Sequence, residues 1–260
     1  MFEKLDNRMI IDYEVKALSD LHIGGHQDML PGELDLPVIK DADEMPIIPG
    51  SSLKGILRQE TIRFLRALRD TEKVKIRYEG KGKKDDVEYM VENNLFGSQE
   101  YASSIKFRDG VADRKRIGVR DGVKIDIATR KAKGGAKFDM EVVPKGTSFS
   151  GEIIVENTGK FLNDDKNRGY AKLGALLNTI ALFNATNRGI GGFTSRGFGE
   201  GVILIKEIRE IKPDDYLNLN PEGKRYSMES HIESAMEGKL PESEIIETAL
   251  EDWKKYLTGD

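Results

Sequence analysis

Cysteine is absent from the 260 residues, which excludes a disulfide framework and any thiolate zinc site. Long apolar runs are absent too: no stretch approaches the roughly 20 residues that a helix needs to cross a bilayer. The opening residues, MFEKLDNRMII, lack the apolar core of a signal peptide, so a cytoplasmic protein without a membrane role is expected. What is there is charge. Charged residues make up 33% of the chain and apolar ones 38%, enough for one sizeable core within a single elaborated domain. The richness in Lys and Glu is the bias of thermophilic proteins.

The net charge of −4 argues against a polyanion partner only until its distribution is read. Residues 106–137 hold 11 Lys and Arg against 4 Asp and Glu, whereas residues 207–260 hold 7 against 14. A basic middle and an acidic tail suggest a polyanion-binding surface with an acidic appendage, because binding responds to local potential. A solvated basic hairpin would carry the same charges.

Along the chain, Ile11, Tyr13, Val15 and Ala17 alternate with Asp12, Glu14 and Lys16, the pattern of a strand. Leu53, Ile56, Leu57, Phe64, Leu65 and Leu68 recur at helical spacing after Pro49 and Gly50, with Ser51 or Ser52 as the helix start. Residues 71–104, with KGKKDD at their centre, read as a mobile polar insertion containing one short helix before LFG. IGVRDGVKID and KFDMEVV form a long basic hairpin, about residues 106–144, leading into the strand SFSGEIIVEN. A second helix spans about Tyr170 to Asn187, and GVILIKEI is the next strand. The order strand, helix, two strands, helix, strand is that of an α+β, ferredoxin-like (βαββαβ) sheet, its palm comprising about 4–70 and 145–212. Residues 213–260 add an acidic helical tail.

Three stretches carry candidate chemistry. DLHIGGHQDMLPGELDLPVIKD, residues 20–41, crowds two His, four Asp and a Glu among glycines and prolines. PGSSLKG places helix-start N–H groups, the Ser51 and Ser52 hydroxyls and the Lys54 ammonium where they can converge on an anion. It lacks the Walker A pattern, and a plain helix cap with a surface lysine fits it equally. RGIGGFTSRGFGEG, from Arg188 to Gly201, holds six glycines around Thr194, Ser195 and Arg196. It follows a helix and opens a strand, the reverse of a dinucleotide fingerprint. A loop that grips sugar-phosphate, with Arg196 on a phosphate and Phe193 or Phe198 stacking, suits it better.

In this order, LDNRMII, LHIGG, DLPVIKDADEMPIIPGSSLKGILR, LFG, GVKIDIATRKA, KFDMEVVPKGTSF and GGFTSRGFGEG resemble the RAMP superfamily, and within it the backbone subunits of type III CRISPR-Cas effector complexes. The resemblance covers roughly residues 4–206. It implies an RRM-like palm, a thumb hairpin that splays nucleotides, and stacking of copies along a CRISPR RNA beside other subunits. It also implies antiviral defence by cleavage of guide-paired single-stranded target RNA, using an aspartate after the first strand and a divalent metal, Mg²⁺ or Mn²⁺.

On this sequence the aspartate is Asp35, as catalytic group and metal ligand, with His22 near enough to help position RNA and His26 and Asp28 less secure. The guide-binding groups are Ser51, Ser52, Lys54, Arg58, Arg120, Lys124, Arg130, Thr194, Ser195 and Arg196. Ile127 stands where relatives commonly have arginine, a contact that Arg130 can replace. Read as residues alone, Asp35 also fits an Asx-type turn before Leu36-Pro37, and His22 a histidine satisfied at a strand end. A lone carboxylate is a weak metal site, so RNA oxygens would complete it. Two other roles exist in the superfamily: a guide-binding subunit that does not cut, and a stand-alone CRISPR RNA processing endonuclease. The latter expects two ferredoxin-like units and a general-base histidine.

Overall fold

Strand β1, Arg8–Ala17, buries every second side chain, Met9, Ile11, Tyr13, Val15 and Ala17, and turns the intervening residues outward. That one-sided burial is what period-two alternation requires of a half-covered sheet. The computed structural model describes residues 4–25, 35–69, 87–99, 101–162, 164, 166–220 and 222–259. β1 lies at the centre, flanked antiparallel on one side by β7 (Ser148–Glu156) and on the other by β8 (Gly201–Ile211). The sheet continues outward from β7 through β4 (Gly110–Ala112) to β2 (Ile47–Ile48), with β3 (Ile105–Phe107) also paired to β7. Beyond β8 it ends in β9 (Lys224–Ser227).

Two helices cover the inward face. α1 (Gly50–Arg69) buries Leu53, Leu57 and Leu65. α3 (Ala171–Thr186) is apolar nearly all round, burying Leu173, Leu176, Leu177, Ile180 and Phe183, because it is packed on more than one side. Each such side chain contributes about 1.5–3 kcal/mol by leaving water. The hydroxyls of Thr61 on α1 and Thr179 on α3 meet at 2.8 Å within this interface. Among the described residues no helix is long and apolar enough to cross a membrane.

Two expectations need revision. The basic hairpin does not begin near residue 106: Ile105, Phe107 and Ala112 pack at the core, so 105–112 joins the main sheet as β3 and β4. The separate ribbon is β5 (Gly118–Ile125) paired with β6 (Ala132–Val142). Within the polar insertion of 71–104 the short helix expected before LFG is present as α2 (Val87–Phe96), ending in buried Leu95 and Phe96, and residues 71–86 of that insertion lie outside the described ones.

The tail is the second: it is helical as expected, but its last helix packs on the core and is no appendage. It holds α4 (Pro213–Leu217), β9, α5 (Ile232–Met236) and α6 (Glu244–Thr258). α6 buries Ile245, Ile246, Ala249, Trp253, Tyr256 and Leu257, and Gly174 leaves room for the α6 backbone at Ala249. On the outward face, Ala235 of α5 packs with Val202 and Leu204.

Candidate nucleic-acid interface

The β5/β6 ribbon is rooted through β6. The chain at 36–38 runs beside it: Leu36 donates its N–H to Asp139 O at 3.1 Å, and Glu141 donates to Leu36 O at 2.9 Å. The Glu141 carboxylate, on a residue 8% exposed, accepts the Val38 N–H at 2.9 Å and the Lys40 ammonium at 3.2 Å. A buried carboxylate needs such partners to offset its desolvation. The result is a fixed approach for Asp35, whose exposed side chain accepts the Asp139 N–H at 3.1 Å.

His22 is anchored two residues further along the same strand. Its Nδ1 lies 2.8 Å from Glu141 O, and a carbonyl only accepts, so Nδ1 carries the hydrogen. Leu21 exchanges two backbone bonds with Val143, each 2.8 Å, and His22 O accepts the Gly192 N–H at 2.7 Å. With 5% exposure and its ring centroid 5.4 Å from that of Phe193, His22 is a strut between the ribbon root and the glycine-rich loop. The anchor points of Asp35 and His22 on β6 are about 7 Å apart, at the rise of a strand.

Two glycines let that loop fold against His22. Gly191 has φ +84°, and a Cβ there would run into the His22 carbonyl; Gly199 has φ +85° and passes close over Ile190 O. Phe193, at φ +58°, opens a single 3-10 turn, Thr194–Arg196, that is exposed throughout. The Arg196 guanidinium lies 5.2 Å from the Phe193 ring centroid. Arg120 of β5 lies 5.8 Å from the Phe198 ring and is salt-bridged to Asp20. The loop phenylalanines are thus half-buried, each carrying an arginine on its face.

The α1 group sits differently. The helix starts at Gly50, with Pro49 O accepting from Ser52 and Leu53, so Ser51 and Ser52 fall inside the first turn and do not cap it. The Asp109 carboxylate, from the segment between β3 and β4, accepts the Gly50 N–H at 2.7 Å in their place. An anion already occupies part of this helix start. Lys54 donates to Ser103 Oγ at 3.0 Å, and burial, helped by the neighbouring Arg58 charge, lowers its pKa. Arg58 is paired with Glu92 and donates to Gly97 O at 3.2 Å.

At the ribbon tip, Asp126 accepts the N–H and hydroxyl of Thr129 at 2.8 and 3.0 Å, and Arg130, at φ +52°, is exposed. Val119, Val123 and Ile125 are exposed along β5, and Ile127 is 94% exposed. The Lys124 side chain, His26 and Asp28 lie outside the described residues.

Among the described residues no three His, Cys, Asp or Glu side chains form a metal cluster. Asp35 can offer a hard cation carboxylate oxygen, with the remaining ligands left to water or a substrate. Sequence reasoning missed Asp20, Asp109 and Glu141, whose side-chain partners lie 59 to 125 residues away with no local pattern to announce them.

A family model described as the RAMP superfamily matches residues 14–202. The chain is 27% identical over 259 residues to a protein of Methanocaldococcus jannaschii named CRISPR system Cms endoribonuclease Csm3, covering 91% of this chain and 94% of that one. A protein of the same name from Enterococcus italicus is 26% identical over 222 residues, covering 80% and 95%.

Proposed function

The chain belongs to the RAMP superfamily, whose model spans most of it, and from that membership we propose a Csm3-like backbone subunit of a type III CRISPR effector complex. It binds a CRISPR RNA, stacks with copies of itself and with other subunits along that guide in the cytoplasm, and cuts single-stranded target RNA paired to it. The names of the two relatives support an endoribonuclease. The observation that carries the reading is convergence: Asp35 stands at the root of an exposed basic ribbon that a histidine strut joins to the exposed Thr194–Arg196 turn.

The sheet order β4, β7, β1, β8 with α1 and α3 on one face supports a ferredoxin-like palm. Its outward face differs from that of an RNA-stacking sheet. Arg209 pairs with Asp12 and Glu152 at 3.3 and 3.1 Å, Lys206 with Glu14 at 3.0 Å, and Lys106 with Glu156 at 3.0 Å. Those charges answer one another, which favours an RNA track along the loop end of the sheet, where Arg196 is exposed.

There the ribbon acts as the thumb. Val123, Ile125 and Ile127 present apolar surface that can wedge between unstacked bases, and Arg130 and Arg196 pair with phosphates. A splayed nucleotide frees its 2′-hydroxyl for in-line attack on the adjacent phosphate: the 2′-oxygen–phosphorus bond forms as the bond to the 5′-oxygen breaks, the hydroxyl proton passes to the Asp35 carboxylate that the Asp139 N–H orients, and the 5′-oxygen leaves as a hydroxyl protonated from water, with a 2′,3′-cyclic phosphate left behind. Mg²⁺ or Mn²⁺ held by Asp35 and RNA oxygens would supply charge stabilisation at the phosphorane. Ser51, Ser52 and Lys54 lie on a helix start that Asp109 partly occupies, so their share of guide binding is smaller than that of the glycine-rich loop.

The experiment is to assemble the protein on a guide RNA with its companion subunits and add complementary RNA. Products at regular spacing in Mg²⁺, abolished by EDTA, are expected; intact target RNA in Mg²⁺ would overturn the cutting half of the proposal.

A further inference from the structure

The two strands of the ribbon are held to the palm by different means. β6 is anchored through its backbone, by the Leu36 and Val143 ladders. β5 is tied by a side chain: Arg120 donates from Nε at 3.0 Å and from Nη2 to the same oxygen, Oδ2, of Asp20, and its guanidinium rests over Phe198. Asp20 is fixed from the palm side. Its Oδ1 accepts the Lys145 N–H at 3.0 Å, and its main-chain carbonyl accepts the Gly199 N–H at 2.9 Å. The carboxylate is therefore held and largely covered, 17% exposed, while the Arg120 side chain is 58% exposed.

Such a pair is asymmetric. An ion pair with one open partner is weak and screened by salt, and a phosphate matches the guanidinium fork at least as well as a carboxylate does. The same arginine touches thumb, first loop and glycine-rich loop at once. We propose that Asp20 is a positioning residue: it holds the thumb through Arg120 in the free protein, and an RNA phosphate displaces it, releasing β5. The proposal deepens the RNA-binding reading and rests on it for the displacing anion. Arg120 then contributes less to RNA affinity than an unpaired arginine, because one contact is exchanged for another.

Asp20→Asn keeps the acceptor for Lys145 and removes the charge; Arg120→Ala removes the other partner. Amide hydrogen exchange without RNA is expected to quicken across residues 119–123 in both variants, with β7 unchanged. Binding of an unstructured single-stranded RNA is expected to tighten about two- to fivefold in Asp20→Asn and to weaken in Arg120→Ala. In the Arg120→Ala background, Asp20→Asn is expected to change nothing further. Unaltered exchange in both variants overturns the latch. An equal gain in affinity from Asp20→Asn with and without Arg120 overturns it too, since that is the signature of simply removing a negative charge near RNA. Absence of RNA binding by every form, wild type included, with quickened exchange in the variants, would instead fail the RNA-binding reading and the displacement step with it.

Discussion

The β5/β6 ribbon and helix α6 of the C-terminal tail are both additions to the central sheet, and they treat their apolar residues in opposite ways. On β5 and the tip, Val119, Val123, Ile125 and Ile127 stand exposed, Ile127 at 94%, whereas Trp253 of α6 is 4% exposed and its apolar neighbours are buried with it. An apolar side chain left in water forgoes about 1.5–3 kcal/mol of stabilisation. A ribbon that keeps several of them exposed is poorly explained by folding alone and fits a surface awaiting a partner. Within the acidic tail, α6 belongs to the core, while Leu217 and Leu219, at and just after the end of α4, stay 80% and 89% exposed.

That contrast can be broken, first in the tail. Trp253→Ala is expected to cost about 3–5 kcal/mol in a urea titration, since it empties a buried site, while the folded fraction keeps its RNA affinity. An unchanged midpoint would return the tail to appendage status.

The next effect lies beneath the tail, at Lys172, a fully buried lysine on α3. Its ammonium donates to Ser104 Oγ at 2.9 Å and lies over Phe161, which stacks on Tyr256 of α6. Burial lowers its pKa to about 7, below the roughly 10.4 of a free lysine. The unfolded chain then binds the extra proton between those values, so stability rises with pH across that window and has no slope from this group below it. Lys172→Met is expected to remove the slope and to add ~1–3 kcal/mol near neutral pH. A slope that survives would show that another group titrates.

On the thumb side the effects move from stability to binding. Arg196→Ala is expected to weaken guide RNA about tenfold and lower the salt slope by about one. Arg58→Ala should act first on stability, because Arg58 is paired with Glu92; an equal loss of salt slope from both would place α1 on the RNA track. Smallest of all, Ile125→Ser with Ile127→Ser is expected to leave unfolding within about 0.5 kcal/mol while blurring the spacing of cleavage products.

How much of this was legible in the sequence depended on distance along the chain. β1, β7 and α1 each bury one recurring face and α3 is a long, nearly continuous apolar segment, so alternation, helical spacing or length announces them. β3 and β4 are three residues each, too short for a period, and their basic neighbours drew them into the hairpin. β9 pairs with β8 only after the chain has turned back through α4, which no window of sequence contains. The site divides in the same way. Asp35 is marked by the family resemblance, since its residue type alone fits a turn. Glu141 with Lys40, 101 residues apart, and Arg120 with Asp20, 100 apart, are made by the fold. His22 suits by position a role beside the RNA, and its 5% exposure with a bonded ring nitrogen makes it a support for the loop.

The most direct measurement is target-RNA cleavage by the guide-loaded complex carrying Asp35→Ala, beside its assembly size and guide affinity. Loss of all regularly spaced products, with assembly and guide affinity at wild-type values, is the predicted result. Wild-type cleavage by the Asp35→Ala complex would contradict the assignment of chemistry to the thumb root.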